Sequence, residues 1–129
     1  GRRVGVAFQI QDDVLDLQGD QRVVGKTLGR DLSKGKLTLP LIHHLQHADP
    51  EQRERSLRLL DALSETGGAE TEPAGGVVDM LERTGSIRSA RDDARRLIGE
   101  ARLALDRLAP SPAGTTLGLL ADAVLTRDR

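Results

Sequence analysis

The sequence has 129 residues with 19 Lys and Arg against 20 Asp and Glu, enough for one domain, or part of one, with a modest core. This near-neutral balance offers no electrostatic case for nucleic acid or an anionic membrane, and one Phe with no Tyr or Trp removes aromatic stacking on bases. The absence of cysteine excludes disulfides and thiolate metal sites, and no apolar run is long enough to span a bilayer.

Nothing resembles a signal peptide, and helical periodicity is already running at Gly1, so the chain is expected to begin inside a helix. Over Gly1 to Asp20, a wheel at about 100° per residue gathers Gln9, Asp12, Asp13, Asp16 and Asp20 into one arc, with Arg2 and Gly5. The rest of the wheel is mostly apolar: Val4, Val6, Ala7, Phe8, Ile10, Val14, Leu15 and Leu17. A helix so broadly apolar is expected to be largely buried, and buried carboxylates need a partner. The acidic stripe therefore predicts a cavity that holds a cation; the alternative, a solvated acidic face, sits badly with so wide an apolar arc.

Residues 19–34 carry no periodicity and read as a loop over the helix end. A second helix is expected from about Gly35 to His47, with Pro40 kinking its first turns or delaying its start. Asp49-Pro50-Glu51 reads as a helix start, with Leu57, Leu60, Leu63 and Leu59 on its apolar side and an end near Gly67-Gly68. Gly68 to Gly76 reads as a loop and Val77 to Arg83 as a short helix ended by Gly85. Ser86 is expected to cap the longest pattern, Ile87, Ala90, Ala94, Leu97, Ile98, Ala101, Leu105 and Leu108. Ser111-Pro112 starts the last helix, which presents Leu117, Leu120, Ala121, Val124 and Leu125. No stretch alternates with the period of a strand, so the fold class is all-α.

Asp12 and Asp16 lie one turn apart, with Asp13 at the edge of the same face. Three ionised carboxylates this close repel one another unless a cation intervenes. Oxygen ligands alone suit Mg²⁺, which accepts one or two carboxylates, waters and substrate phosphates; zinc is a poor candidate with no His or Cys on the stripe. All three lysines (Lys26, Lys34 and Lys36) fall in the following loop, while arginine supplies the 16 other cations. Gly25, Gly29 and Gly35 beside them allow backbone N–H groups to approach phosphate oxygens, and Lys26 and Lys36 can neutralise the remaining charge.

These residues resemble a known family. Phe8-Gln9, Asp12-Asp13 and Asp16 look like the second aspartate-rich motif, FQxxDDxxD, of the trans-isoprenyl diphosphate synthases (polyprenyl synthetases). Gly25 to Ile42, GKTLGRDLSKGKLTLPLI, resembles their GKxxGxDLxxGKxTLP signature, and LADAVLTRDR resembles their closing helix. The resemblance implies an all-α prenyltransferase fold around a deep cavity, of which residues 1–129 would form a single C-terminal portion. It implies an enzyme in which an allylic diphosphate ionises, isopentenyl diphosphate attacks the carbocation, and proton loss gives a longer trans-polyprenyl diphosphate. Asp12 and Asp16 would then be Mg²⁺ ligands, with Asp13 assisting directly or through water. Lys26 and Lys36 would bind the allylic diphosphate and stabilise its departure. Gln9 would line the cavity near the reacting end with Phe8 packed beside it, and Asp31 would orient a metal-bound water or a lysine.

The first motif of the family, DDxxD followed by an arginine pair, is absent from the 129 residues. Asp92-Asp93-Ala94-Arg95-Arg96 has the wrong order and no third Asp; it reads as the flank of a helix with Arg88–Asp92 and Asp92–Arg96 pairs. The chain alone is thus expected to be inactive, and active within a cytoplasmic, homodimeric full-length synthase. Rival readings are a non-catalytic partner subunit or truncated product, and a class I terpene synthase, against which the intact Gly/Lys signature argues. His43 and His47, one turn apart, have metal-ligand spacing but no evident third ligand.

Overall fold

The computed structural model describes residues 1–18, 30–66 and 71–127, and among them it is all-α. Its helices are α1 (Arg2–Gln18), α2 (Arg30–Ser33), α3 (Leu39–His47), α4 (Pro50–Thr66), α5 (Thr71–Arg83), α6 (Ser86–Asp106) and α7 (Pro112–Leu125). None of the described helices is long and apolar enough to cross a membrane.

α1, α3, α5 and α7 pack around α6. Its buried residues Ser86, Ile87, Ala90, Ala94, Ile98 and Ala101 follow the 3.6-residue period, which lays one stripe against the core. α1 packs closely against it, with Ala7, Ile10, Val14 and Leu17 buried on α1. Alanines on both helices keep side-chain bulk small where the two meet. Leu41 of α3, Leu63 of α4, Val77 and Leu81 of α5, and Ala121 and Val124 of α7 complete a single core. Each is a branched or small aliphatic residue, as a chain with one aromatic requires.

The helix starts follow their local chemistry. Asp49 Oδ1 accepts the N–H of Gln52 at 2.8 Å, and Ser111 Oγ accepts that of Gly114 at 3.0 Å, so a side chain caps each of the two helix starts expected at Asp49-Pro50 and Ser111-Pro112. Pro40 and Pro50 stand in the first turns of α3 and α4, where a missing N–H costs nothing. Pro40 thus delays the start of α3 from the expected Gly35 to Leu39.

Several sequence expectations are corrected. The 19–34 segment is not loop throughout, because Arg30–Ser33 forms α2. Gly68–Gly76 is not loop throughout, because α5 begins at Thr71 and carries Gly75-Gly76 inside it; residues 68–70 lie outside the described residues. Ser86 does not cap α6: Gly85 is the N-cap, at φ +69°, and Ser86 is fully buried in the first turn. Gly85 also donates its N–H to Glu82 O at 3.0 Å, ending α5, so one left-handed residue closes one helix and opens the next. α6 stops at Asp106 rather than Leu108. On its flank Asp92 pairs with Arg95 at 3.0 Å, and Arg96 with Asp93 at 3.2 Å and Glu100 at 3.1 Å, in place of the expected Arg88–Asp92 and Asp92–Arg96 pairs. α1 is buried on one side only: Val6 and Phe8 remain 45% and 43% exposed.

Candidate functional site

The acidic stripe of α1 meets the turn that follows α2. That turn is a helix C-terminus of a defined kind: Gly35 N–H bonds to Leu32 O at 3.0 Å and Lys36 N–H to Asp31 O at 2.9 Å, with Gly35 at φ +70°. The left-handed glycine reverses the chain and aims the Lys36 side chain back across α1. Its Nζ lies 2.8 Å from Asp13 Oδ1 and 3.5 Å from Asp31 Oδ2. The structure therefore places Asp31 beside the lysine.

The three stripe carboxylates have three different surroundings. Asp13, only 6% exposed, accepts from Lys36 and, at 3.1 Å, from Gln9 Nε2. Asp16 Oδ2 accepts the Asp31 N–H at 3.0 Å, which ties α1 to the first turn of α2. Burial pushes the Asp16 carboxyl above the ordinary carboxylate range; the Asp31 N–H opposes that, and the charges of Asp31 and Asp13 add to it. Asp12 turns the other way, and its Oδ1 lies 3.3 Å from Arg127 Nη1. The guanidinium of Arg127 also stacks over the Phe8 ring, 4.5 Å from its centroid. Lys36 is held above the ordinary lysine range, mainly by its hydrogen bond to Asp13.

Gln9, Asp13, Asp16, Asp31 and Lys36 thus come together where α1 meets α2, while Phe8 and Asp12 face Arg127. Lys26 falls outside the described residues. Among the described residues, no three His, Asp or Glu side chains form a preassembled metal cluster. Asp13 is paired with Lys36 and Asp12, its side chain half exposed, with Arg127, while Asp16 is desolvated by burial.

Residues 1–72 match the model of the polyprenyl synthetase family. The chain belongs to that family. A short chain isoprenyl diphosphate synthase of Methanothermobacter thermautotrophicus is 35% identical over 128 residues, covering 99% of this polyprenyl synthetase chain and 38% of that relative. The crystal structure of a geranylgeranyl pyrophosphate synthetase from Pyrococcus horikoshii matches it with a TM-score of 0.85 at 38% identity, over 98% of this chain and 37% of that one. A polyprenyl synthase from Caulobacter crescentus, complexed with calcium and isoprenyl diphosphate, matches with a TM-score of 0.81 at 26% identity, over 98% and 38%. The all-α fold is that of the prenyl synthases, and the chain spans well under half the length of each relative, matching their C-terminal part.

Two features of this polyprenyl synthetase chain escaped the sequence. Arg127 reaches the stripe from the opposite end of the chain, and no local pattern announces such a contact. The second is a hydroxyl–imidazole chain beneath α3. His44, 1% exposed, has Nε2 2.7 Å from Ser56 Oγ and Nδ1 3.0 Å from Thr84 Oγ1. Thr84 Oγ1 lies 2.7 Å from Ser86 Oγ, which lies 2.8 Å from His43 Nδ1. Burial lowers the proton affinity of both imidazoles, helped by His47 at His43 and by His43 at His44. His43 and His47 stack at 4.1 Å, and His47 Nδ1 lies 2.8 Å from the His43 carbonyl. The signal in the sequence was a histidine in the apolar run Leu39 to Leu45, a polar group that a buried face has to satisfy.

Proposed function

We propose that residues 1–129 form the C-terminal portion of a trans-polyprenyl diphosphate synthase and supply one half of its diphosphate-binding site. The assembled enzyme condenses an allylic diphosphate with isopentenyl diphosphate into a longer trans-polyprenyl diphosphate. Family membership and the names of the relatives support the reaction. The observation that carries the assignment of the site is the convergence of Lys36 on the aspartate stripe, 2.8 Å from Asp13.

The stripe fits Mg²⁺. Its donors are all carboxylate oxygens, Asp12 is accessible, and Asp16 is raised by burial, as befits a carboxylate whose balancing charge comes from outside. An ion content with one or two carboxylates needs no third protein ligand if a diphosphate completes its shell. Asp12 and Asp16 would hold it, Asp13 would assist directly or through water, and the ion would neutralise the departing diphosphate. Calcium and isoprenyl diphosphate in the Caulobacter relative agree with this pairing of a hard cation and a diphosphate.

The chain's own residues do the rest. Lys36, pinned by Asp13 and Asp31, offers a fixed positive charge to the diphosphate and needs no reorganisation as the leaving group gains charge. Lys26 is proposed as its counterpart. Asp31 positions Lys36, and Gln9 and Phe8 line the cavity beside the reacting carbon. We propose a homodimeric, cytoplasmic enzyme on the family resemblance.

Since the chain spans 38% of the Methanothermobacter relative, residues 1–129 alone are proposed to lack turnover. Labelled isopentenyl diphosphate is offered with an allylic diphosphate and Mg²⁺ to the protein alone and to the protein mixed with the N-terminal part of a relative. Product only in the mixture supports the proposal. Product from the 129 residues alone overturns the division of the site between two portions.

The same coverage favours one second reading, a partner subunit that stabilises a complete synthase without contributing carboxylates. In that case Asp12→Ala would leave the activity of the mixture unchanged.

A further inference from the structure

Arg127, two residues beyond α7, returns a guanidinium to the N-terminal helix. Phe8 and Asp12 are one helical turn apart on α1, so one planar cation covers both, with the ring under its face and the carboxylate at its edge. The fit is incomplete. Nη1 is buried yet makes no hydrogen bond to a described residue, although Asp12 Oδ1 is only 3.3 Å away. An arginine built as the lasting partner of a carboxylate takes the two-pronged arrangement, with short, aligned N–H···O bonds. Arg127 is instead held by charge and by the ring face.

The contrast with the neighbouring carboxylates is sharp. Asp13 and Asp16 each accept directed hydrogen bonds, from Lys36 and Gln9 and from the Asp31 N–H. Asp12 has its side chain half exposed and can be approached by another cation. A divalent ion on that carboxylate would stand a few ångströms from the guanidinium, where two positive charges repel strongly. Both cannot keep their places.

We infer that Arg127 is the resident counter-ion of Asp12, and that a divalent cation takes the carboxylate by displacing it. The Phe8 ring is the platform on which the displaced group waits. In the ion-free chain this contact ties the end of α7 to α1; ion binding loosens the tie. This inference rests on Asp12 as a metal ligand.

The test uses Mn²⁺, whose free concentration is followed by electron paramagnetic resonance, titrated at a fixed concentration of inorganic pyrophosphate, against a protein-free control, into the wild-type chain, Arg127→Gln and Asp12→Asn. Arg127→Gln is expected to bind about two- to fivefold more tightly, the equivalent of the one exposed ion pair that the metal has to break. Asp12→Asn is expected to lose the site. Thermal unfolding gives a second readout: Arg127→Gln lowers the midpoint in chelator, and the difference closes at saturating Mn²⁺. Arg127→Lys, which keeps the charge without the plane, should bind with intermediate affinity. Unchanged or weaker binding by Arg127→Gln, with the site still lost in Asp12→Asn, overturns the exchange and leaves the metal assignment standing. Binding indifferent to Asp12→Asn, or absent from every protein, overturns both.

Discussion

Lys36 Nζ lies 2.8 Å from Asp13 Oδ1, across the junction between the turn after α2 and the buried edge of α1. Asp13 is 6% exposed, and the lysine supplies the opposite charge that a buried carboxylate needs. Lys36 itself remains partly in water, which weakens the pair but leaves its charge available to a ligand.

Lys36→Met should therefore harm both folding and chemistry. Loss of the charge leaves Asp13, among the described residues, with Gln9, and the expected cost is about 1–2 kcal/mol, below that of a fully buried pair. Urea unfolding of Lys36→Met, Asp13→Asn and the double variant checks this. The double variant should lose less than the sum of the two, because it strands no charge. Strict additivity would mean that the contact contributes nothing.

Asp12→Ala should do the reverse. Its carboxylate is half exposed and, among the described residues, pairs with Arg127 alone, so stability should change by no more than about 0.5 kcal/mol. Turnover of the assembled enzyme should nevertheless fall by about 100-fold or more, as when a charge-stabilising group is removed from a reacting centre. Steady-state assay beside a thermal melt separates the two effects. A small loss of turnover would make the stripe structural.

The helical wheel brings Asp12, Asp13 and Asp16 to one arc, and the structure keeps them there, yet the wheel cannot say which one turns inward. That is decided by α2, where Asp31 supplies the N–H that Asp16 takes, and by Gly35, which aims Lys36 at Asp13. Elements with local signatures were legible, such as the Ile87, Ala90, Ala94, Ile98 stripe of α6 and the Asp49 and Ser111 caps. The start of α5 was not, because Gly75-Gly76 looks like a loop. A Cβ on Gly76 would come within 3.1 Å of Leu59 Cδ1, so the glycine serves the close approach of α4 and α5, a fact about two helices rather than one. Arg127 on Asp12 was illegible for the same reason, since only the folded chain brings its two ends together.

His44 makes stability depend on pH. Its imidazole is buried between Ser56 and Thr84, and burial lowers its proton affinity in the folded state below the ordinary value of about 6.5. Between the two values the unfolded chain binds more protons, so stability is full above about pH 6.5 and falls as pH drops through that window. It levels off below the folded value. His43 is shifted in the same direction and adds to the slope, whereas Asp16, raised, acts with opposite sign and only in the carboxylate range. Unfolding free energies from pH 8 to 5 on the order of one-unit steps should show this fall, and His44→Gln should flatten it. A slope untouched by that substitution would place the titrating group elsewhere.

Gly35 and Gly85 offer a matched pair. Both are left-handed, at φ +70° and +69°, and a Cβ on either would meet nothing within 4 Å. Alanine at each should cost about 1–2 kcal/mol through backbone strain alone, and asparagine less. Their consequences for activity should differ. Gly85 joins α5 to α6, away from the stripe, so relaxing it should leave turnover of the assembled enzyme nearly intact wherever the protein remains folded. Gly35 immediately precedes Lys36, and a backbone that escapes the left-handed region there swings Nζ away from Asp13. Gly35→Ala should thus lower turnover at least about tenfold, a modest share of what a misplaced charge can cost. The Gly85→Ala melt calibrates the strain, and the Gly35→Ala assay is read against it. Equal losses of turnover in the two variants would show that the turn after α2 does not set the position of Lys36.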